Sequence, residues 1–242
     1  TDAAGNHVNS AVPPAFDGPI RESQPTMAPR ADVDHRSREG YGANKVAAEH
    51  ALLDSGHAVT VLRPSKVHGD GSTRPDEWVF VKRVLDRRGV VVLSRGGSGV
   101  DHTSAAANVA ALVEFVANSP GRRILNSADP DAPSALEISR TVAGHLGHHW
   151  DEVLLDPSAP AELGRHPWDR LPAIRLDMSA ARQLGYEPAG DYAATVVTEL
   201  DWLVSIAEHH GSTTARLPSG FDHDYFEPML DYAAEDTYLA ER

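Results

Sequence analysis

The sequence predicts an α/β protein, because stretches with a helical period alternate with short apolar runs of strand length. A helical stretch from Tyr41 is followed, after Gly56, by Ala58-Val59-Thr60-Val61-Leu62. Another, Asp76 to Arg88, precedes Val90-Val91-Val92-Leu93, and the Ala- and Val-rich stretch Ala105 to Asn118 precedes Arg123-Ile124-Leu125-Asn126-Ser127-Ala128.

In chain order, residues Val12 to Arg38 hold Pro13, Pro14, Pro25 and Pro29 among polar residues, which predicts a long loop. Val46, Ala47, His50 and Leu53 then recur at three and four residues, an amphipathic helix with Tyr41 and Lys45 one turn apart on one face. A phenol and an ammonium are thereby placed side by side. An unperturbed tyrosine titrates near ~10, and an adjacent cation favours the phenolate, which is how a Tyr becomes a proton-transfer catalyst. Taken alone, the same spacing also describes a surface Lys beside a half-buried Tyr.

Trp78, Val79, Val81, Val84 and Leu85 give the next helix, with Gly89 expected to end it. Arg95-Gly96-Gly97-Ser98-Gly99 follows a strand and invites a dinucleotide-loop reading. A turn is the better one, since the third Gly is missing and Asp101 would face the pyrophosphate at a helix N-terminus. Thr103 or Ser104 is expected to cap the helix Ala105 to Asn118, and Ser134 to cap a helix Ala135 to Leu146. Glu152 to Leu155 reads as a strand and Tyr192 to about Ala207 as a closing helix. His145, His148, His149 and Asp151 read as a polar helix end, so no metal is expected there.

The succession of a Tyr-Gly-x-x-Lys-x-x-x-Glu helix (Tyr41 to Glu49), an apolar strand and Arg63-Pro64-Ser65-Lys66-Val67-His68-Gly69 resembles the extended short-chain dehydrogenase/reductases, the NAD-dependent epimerase/dehydratase family. Gly18-Pro19-Ile20-Arg21-Glu22-Ser23-Gln24-Pro25, the Arg123 to Ala128 strand and Leu176 to Pro188 resemble further segments of it, so the likeness runs from Thr1 to Ala207. The resemblance implies a Rossmann-like doubly wound parallel sheet with a smaller mixed α/β substrate lobe. Residues 1–127 would belong to the nucleotide-binding domain, with 70–100 contributing to the lobe, and 128–207 to the lobe itself.

It further implies NAD or NADP as cofactor, Tyr41 as acid/base, Lys45 on the nicotinamide ribose, and Pro64 and Val67 lining the nicotinamide pocket. Thr1 is the catalytic hydroxyl in one register, with Asp2 assisting water loss, although Ala3 stands where the dehydratases carry Glu. In the other register that hydroxyl precedes Thr1. Two departures bear on the substrate: Lys66 stands where sugar-nucleotide epimerases carry Asn, and Asp101 where they carry an Arg that pairs the diphosphate. The expected substrate is therefore a small non-nucleotide alcohol, ketone, aldehyde or free sugar derivative beside Lys66 and Asp101. Trp168 either lines that pocket or is an aromatic core residue.

The family's opening Gly-x-x-Gly-x-x-Gly loop is not in the sequence, and the strands that bear it are expected upstream of Thr1. Residues 1–242 by themselves are accordingly expected to aggregate, to bind NAD(P) weakly and to show no redox activity. The alternative is a degenerate homologue acting as a binding or scaffold protein.

With 22 Lys and Arg against 35 Asp and Glu, the net charge of −13 argues against a nucleic-acid partner and reads as solubility. There is no cysteine, no apolar run of membrane length and no signal peptide, so a cytoplasmic protein is expected. The acidic segment 208–242 carries aromatic residues as well. Two readings stay open for it: docking on the body or on a second subunit of a homodimer, and a loosely ordered tail.

Overall fold

The computed structural model describes residues 1–7, 10–37, 40–210 and 214–242. Arg38, the expected end of the long loop, lies outside them.

Helix α1, Gly40–Leu53, buries Gly40, Ala43 and Val46, while His50, expected on the inner face, is exposed. The Pro-rich loop packs against it closely enough that a Cβ on Gly42 would overlap Met27 Sδ. Strand β1, Thr60–Pro64, begins two residues later than its apolar run suggested and extends through the Arg63-Pro64 motif. It continues into β2, Lys66–His68.

Helix α2, Trp78–Leu85, stops before Gly89, with Arg87 taking the left-handed conformation at φ 56°. Strand β3, Val90–Leu93, follows, and then a tight turn at Ser94–Gly97 in which Arg95, Gly96 and Gly97 all have positive φ. The expectation of a turn here is met.

Thr103 and Ser104 do not cap a helix. With Ala105 they form strand β4, because their backbone pairs with Lys66–His68, and helix α3, Ala106–Asn118, begins at Ala105 without a side-chain cap. The Ser104 hydroxyl instead donates to Ser127 O at 2.6 Å. Strand β5, Arg123–Ser127, is followed by α4, Ala135–His145, where Ser134 and Glu137 form the reciprocal capping box. Strand β6, Asp151–Leu154, and the short α5, Ser179–Gln183, come next. The closing helix is divided into α6, Tyr192–Thr195, and α7, Val197–Ile206.

The sheets are small and parallel: β1 pairs with β5, β2 with β4 and β3 with β6. An antiparallel pair, β7 (Glu208–His210) with β8 (Thr214–Arg216), leads into α8 (His223–Phe226) and α9 (Tyr232–Ala240). The largest apolar cluster joins Trp78, Phe80 and Val81 of α2 to Ile138 and Val142 of α4, Leu200 and Leu203 of α7, and Trp168. Each such side chain contributes about 1.5–3 kcal/mol on burial.

The acidic segment docks on this cluster rather than hanging loose. Ala215, Leu217 and Phe226 are buried in it, and Glu235, itself buried, receives a bidentate pair of bonds from Arg83 at 2.7 and 2.8 Å. Tyr232 donates to Asp86 and Asp236 pairs with Arg88. Part of the negative charge therefore holds the fold together instead of serving solubility alone. Among the described residues, no helix is long and apolar enough to cross a membrane.

Candidate active site

The motif segments converge because their polar groups need one another. Arg63 makes a bidentate pair with Glu49 of α1 at 2.9 and 2.5 Å and reaches the Glu22 carbonyl at 3.3 Å. Glu22 accepts the Asn126 N–H at 2.8 Å, and the Asn126 side chain donates to Ile20 O and Asp177 O. The loop, α1, β1, β5 and the segment before α5 are thus tied at one end of the sheet.

Beside this junction opens a cavity of about 830 Å³ whose wall includes Tyr41, Pro64, Lys66, Val67, Asp76 and Asp101. That volume suits a small molecule. Tyr41 is 63 % exposed, and the Lys45 ammonium lies 5.6 Å from its ring centroid, one turn along α1. Lys66 Nζ is 2.9 Å from Asp76 and 3.7 Å from Asp101, whose carboxylate also lies 3.4 Å from Arg170 Nε. Gly220, Phe221 and Asp222 close the far side, so the C-terminal segment supplies part of the wall.

Of the residues singled out in the sequence, Tyr41, Pro64, Lys66, Val67 and Asp101 share this cavity, with Lys45 beside Tyr41. Thr1 does not join them: its hydroxyl donates to Pro25 O at 3.1 Å, and it lines a second cavity that shares only Pro64 and Ser65 with the first. Asp2 is spent on its own turn, accepting backbone N–H groups of Ala4, Asn6 and Ala15. The Ala15 bond leads in holding its pKa below the ordinary value, which keeps it a carboxylate and unsuits it to donate a proton. Trp168 is fully buried, stacked on Phe80 at 5.8 Å, and takes the core role.

Behind the Lys66–Asp76 wall lies a buried polar cluster that sequence reasoning missed. His68, Glu77 and Glu199 are 3 %, 1 % and 0 % exposed. His68 Nε2 bonds Asp129 Oδ2 at 2.9 Å, the Gly69 N–H donates to Glu199 Oε2 at 2.6 Å, and the Tyr192 hydroxyl donates to Glu77 Oε1 at 3.2 Å. Gly69, at φ 145° with a built Cβ only 2.9 Å from Ala106 Cβ, tolerates no side chain there. Burial, then the neighbouring Glu77, pushes Glu199 up to about 10, and burial likewise raises Glu77. The signal was present in the sequence: Glu199 falls on the apolar stripe Val196, Leu200, Leu203, where a carboxylate is out of place.

No protein-family model matches the sequence, and comparison with curated proteins finds no match. Solved structures do match. MoeE5, in complex with UDP-glucose and NAD, superposes with a TM-score of 0.55 at 20 % identity, over 78 % of this chain and 60 % of that one. The UDP-N-acetylglucosamine 4-epimerase from Methanobrevibacter ruminantium M1, in complex with UDP-N-acetylmuramic acid, gives 0.57 at 17 %, over 78 % and 58 %. The fold is that of the epimerase/dehydratase enzymes. A dTDP-glucose 4,6-dehydratase from Streptomyces venezuelae with NAD bound shares this epimerase/dehydratase fold at 0.54 and 18 %, over 79 % and 56 %. The present chain thus spans less than two thirds of the length of each of these proteins, and the Rossmann-like, mixed α/β architecture expected from the motifs is confirmed.

Proposed function

We propose that this chain carries the acid/base and substrate-binding parts of an NAD(P)-dependent oxidoreductase or epimerase of the extended short-chain dehydrogenase/reductase type. The observation that carries the reading is the exposure of Tyr41, with Lys45 beside it, on the same cavity as Pro64, Val67, Lys66 and Asp101. The open lip formed by Tyr41, Pro64 and the half-exposed Val67 fits the nicotinamide and ribose end of a dinucleotide. Lys45 would hold the ribose there. The cofactor, when bound, supplies or accepts the hydride.

The chain's own task is the proton. In alcohol oxidation the Tyr41 phenolate takes the hydroxyl proton while the carbon gives up its hydride, and in carbonyl reduction the phenol returns it. Lys45, its ammonium 5.6 Å from the Tyr41 ring, places a positive charge beside the reacting phenol. The neighbours solved with UDP-sugars bind a diphosphate, but here Asp76 and Asp101 flank the single ammonium of Lys66. Lys66 is thus engaged by Asp76 and Asp101, Arg170 by Asp101, and the guanidinium of Arg74 on the same wall lies over the Tyr225 ring, an arrangement that favours hydroxyl-bearing neutral molecules over a diphosphate. The substrate is accordingly a small non-nucleotide alcohol, ketone, aldehyde or free sugar derivative.

In the intact enzyme, Tyr41→Phe should lower turnover about a hundred- to ten-thousand-fold with cofactor affinity largely kept, and Lys45→Ala should harm both. Near-normal turnover of Tyr41→Phe at every pH would refute the acid/base assignment. Calorimetric titration with UDP-glucose and dTDP-glucose tests the substrate class, and saturable micromolar binding of either would overturn the non-nucleotide reading.

A further inference from the structure

If its carboxylates are ionised, the buried cluster behind the cavity has an unbalanced charge. Glu77, Glu199 and Asp129 surround one imidazole, and among the described residues no Lys or Arg pairs with any of the three. The nearby cations are engaged elsewhere, Lys66 with Asp76 and Asp101 and Arg83 with Glu235. Uncompensated carboxylates in an interior cost several kcal/mol each.

The hydrogen bonding narrows what could compensate them. Asp129 is fixed by the Ala105 N–H at 2.7 Å and the Asn108 side-chain amide at 2.8 Å, and it engages His68 Nε2 at 2.9 Å. With Nε2–H directed to Asp129, His68 Nδ1 carries a lone pair, and it has no hydrogen-bond partner. Glu199 Oε1 likewise receives no hydrogen bond from a donor, although the Glu77 and Glu199 carboxylates lie within hydrogen-bonding reach of each other. His68 Nδ1 lies 3.8 Å from Glu199 Oε2, too far for a hydrogen bond. One ligand atom each from His68, Glu77 and Glu199 all fall within 4.8 Å of one another. Tetrahedral ligands held at about 2.0–2.2 Å from a common ion lie about 3.3–3.6 Å apart, so the three atoms would draw together slightly around one. A carboxylate behind the distal nitrogen of a ligating histidine is the usual way such an imidazole is oriented and made more basic.

We infer that His68 Nδ1, Glu77 and Glu199 form a buried structural site for a divalent transition-metal ion, with Asp129 orienting the imidazole. One neutral imidazole and two carboxylates neutralise a divalent ion, and an all-nitrogen-and-oxygen set suits Zn²⁺ or Mn²⁺. The ion joins the end of β2, the residue preceding α2 and the first turn of α7. Glu77 adjoins Asp76, and His68 lies two residues from Lys66, so the ion braces the charged wall of the substrate cavity from behind. The inference stands apart from the redox reading, since it uses none of Tyr41, Lys45 or the cofactor.

The test is metal analysis of the purified, untagged wild-type protein by mass spectrometry, before and after unfolding in EDTA and refolding with ZnCl₂, MnCl₂ or no metal. The expected result is a near-stoichiometric ion that survives desalting, and a thermal midpoint raised by the metal relative to the EDTA-refolded protein. Glu199→Gln should abolish retention, and Asp129→Asn should weaken affinity about 10–100-fold. A wild-type protein that refolds fully without metal, retains neither ion after desalting and has the same midpoint with and without EDTA overturns the inference. In that case the two glutamates share a proton. Should either variant fail to fold, the wild-type metal content and midpoint decide alone.

Discussion

At the rim of the cavity, Tyr41 and Lys45 stand exposed on a helix whose buried side is small residues, Gly40, Ala43 and Val46. In the lobe behind it, charged side chains are sealed among aromatic and aliphatic ones: Arg83 on Glu235, Glu77 under Tyr192, Glu199 among Val196, Leu200 and Leu203. The contrast separates two uses of polar chemistry. An exposed phenol beside an ammonium contributes little to stability but is free to meet a substrate, whereas a buried ion pair is committed to the fold, and losing one partner leaves the other stranded.

The contrast is broken most severely at Arg83 and Glu235. Glu235→Ala strands a guanidinium that is 2 % exposed and should cost about 3–5 kcal/mol in denaturant unfolding. A loss under 1 kcal/mol would mean that the C-terminal segment is not held as described.

His166 sharpens the comparison through pH. It is buried with both ring nitrogens unpartnered, and burial drives its pKa down to about 4. The folded value lies below the unfolded one near ~6.5, so above that pH the residue adds no pH-dependent cost. As pH falls from about 6.5 to 4, the unfolded chain takes up a proton that the folded one refuses, and stability drops by up to about 3 kcal/mol. His166→Phe should remove that part of the acid slope. An unchanged difference in stability between pH 7 and pH 4.5 would contradict the burial.

A smaller effect is expected at the α4 cap. Ser134→Ala removes the bond from the Glu137 N–H and the hydroxyl's own bond to the Glu137 carboxylate, leaving the residue-134 N–H on that carboxylate, and should cost about 1 kcal/mol. Thermal unfolding would show it as a drop of a few degrees.

What could be read from the sequence follows the same division. The helix at Tyr41, the strand after it and the cap at Ser134 were legible because local periodicity and side-chain chemistry decide them. The strand Thr103–Ala105 was not: three small residues before a helix look like a cap, and only pairing with Lys66–His68 reveals a strand. The candidate cavity was legible only as far as a motif places residues on one helix or one turn, as with Tyr41, Pro64 and Val67 on its wall and Lys45 beside Tyr41. It was illegible where distant segments meet. Nothing local foretold that Phe221 would close the cavity, and the place of Glu199 on an apolar stripe marked it as unusual without foretelling that it would meet His68 and Glu77 from two other elements. Trp168 shows the converse, an aromatic that local chemistry allows in a pocket and packing assigns to the core.

On the proposed function, the division of labour between the cavity rim and the buried polar groups behind it is tested most directly by measuring turnover and thermal midpoint together for Tyr41→Phe. Loss of a single exposed hydroxyl should leave the midpoint within about 2 °C of wild type while turnover falls by a hundredfold or more. Retained turnover, or a midpoint that collapses along with activity, would contradict the account.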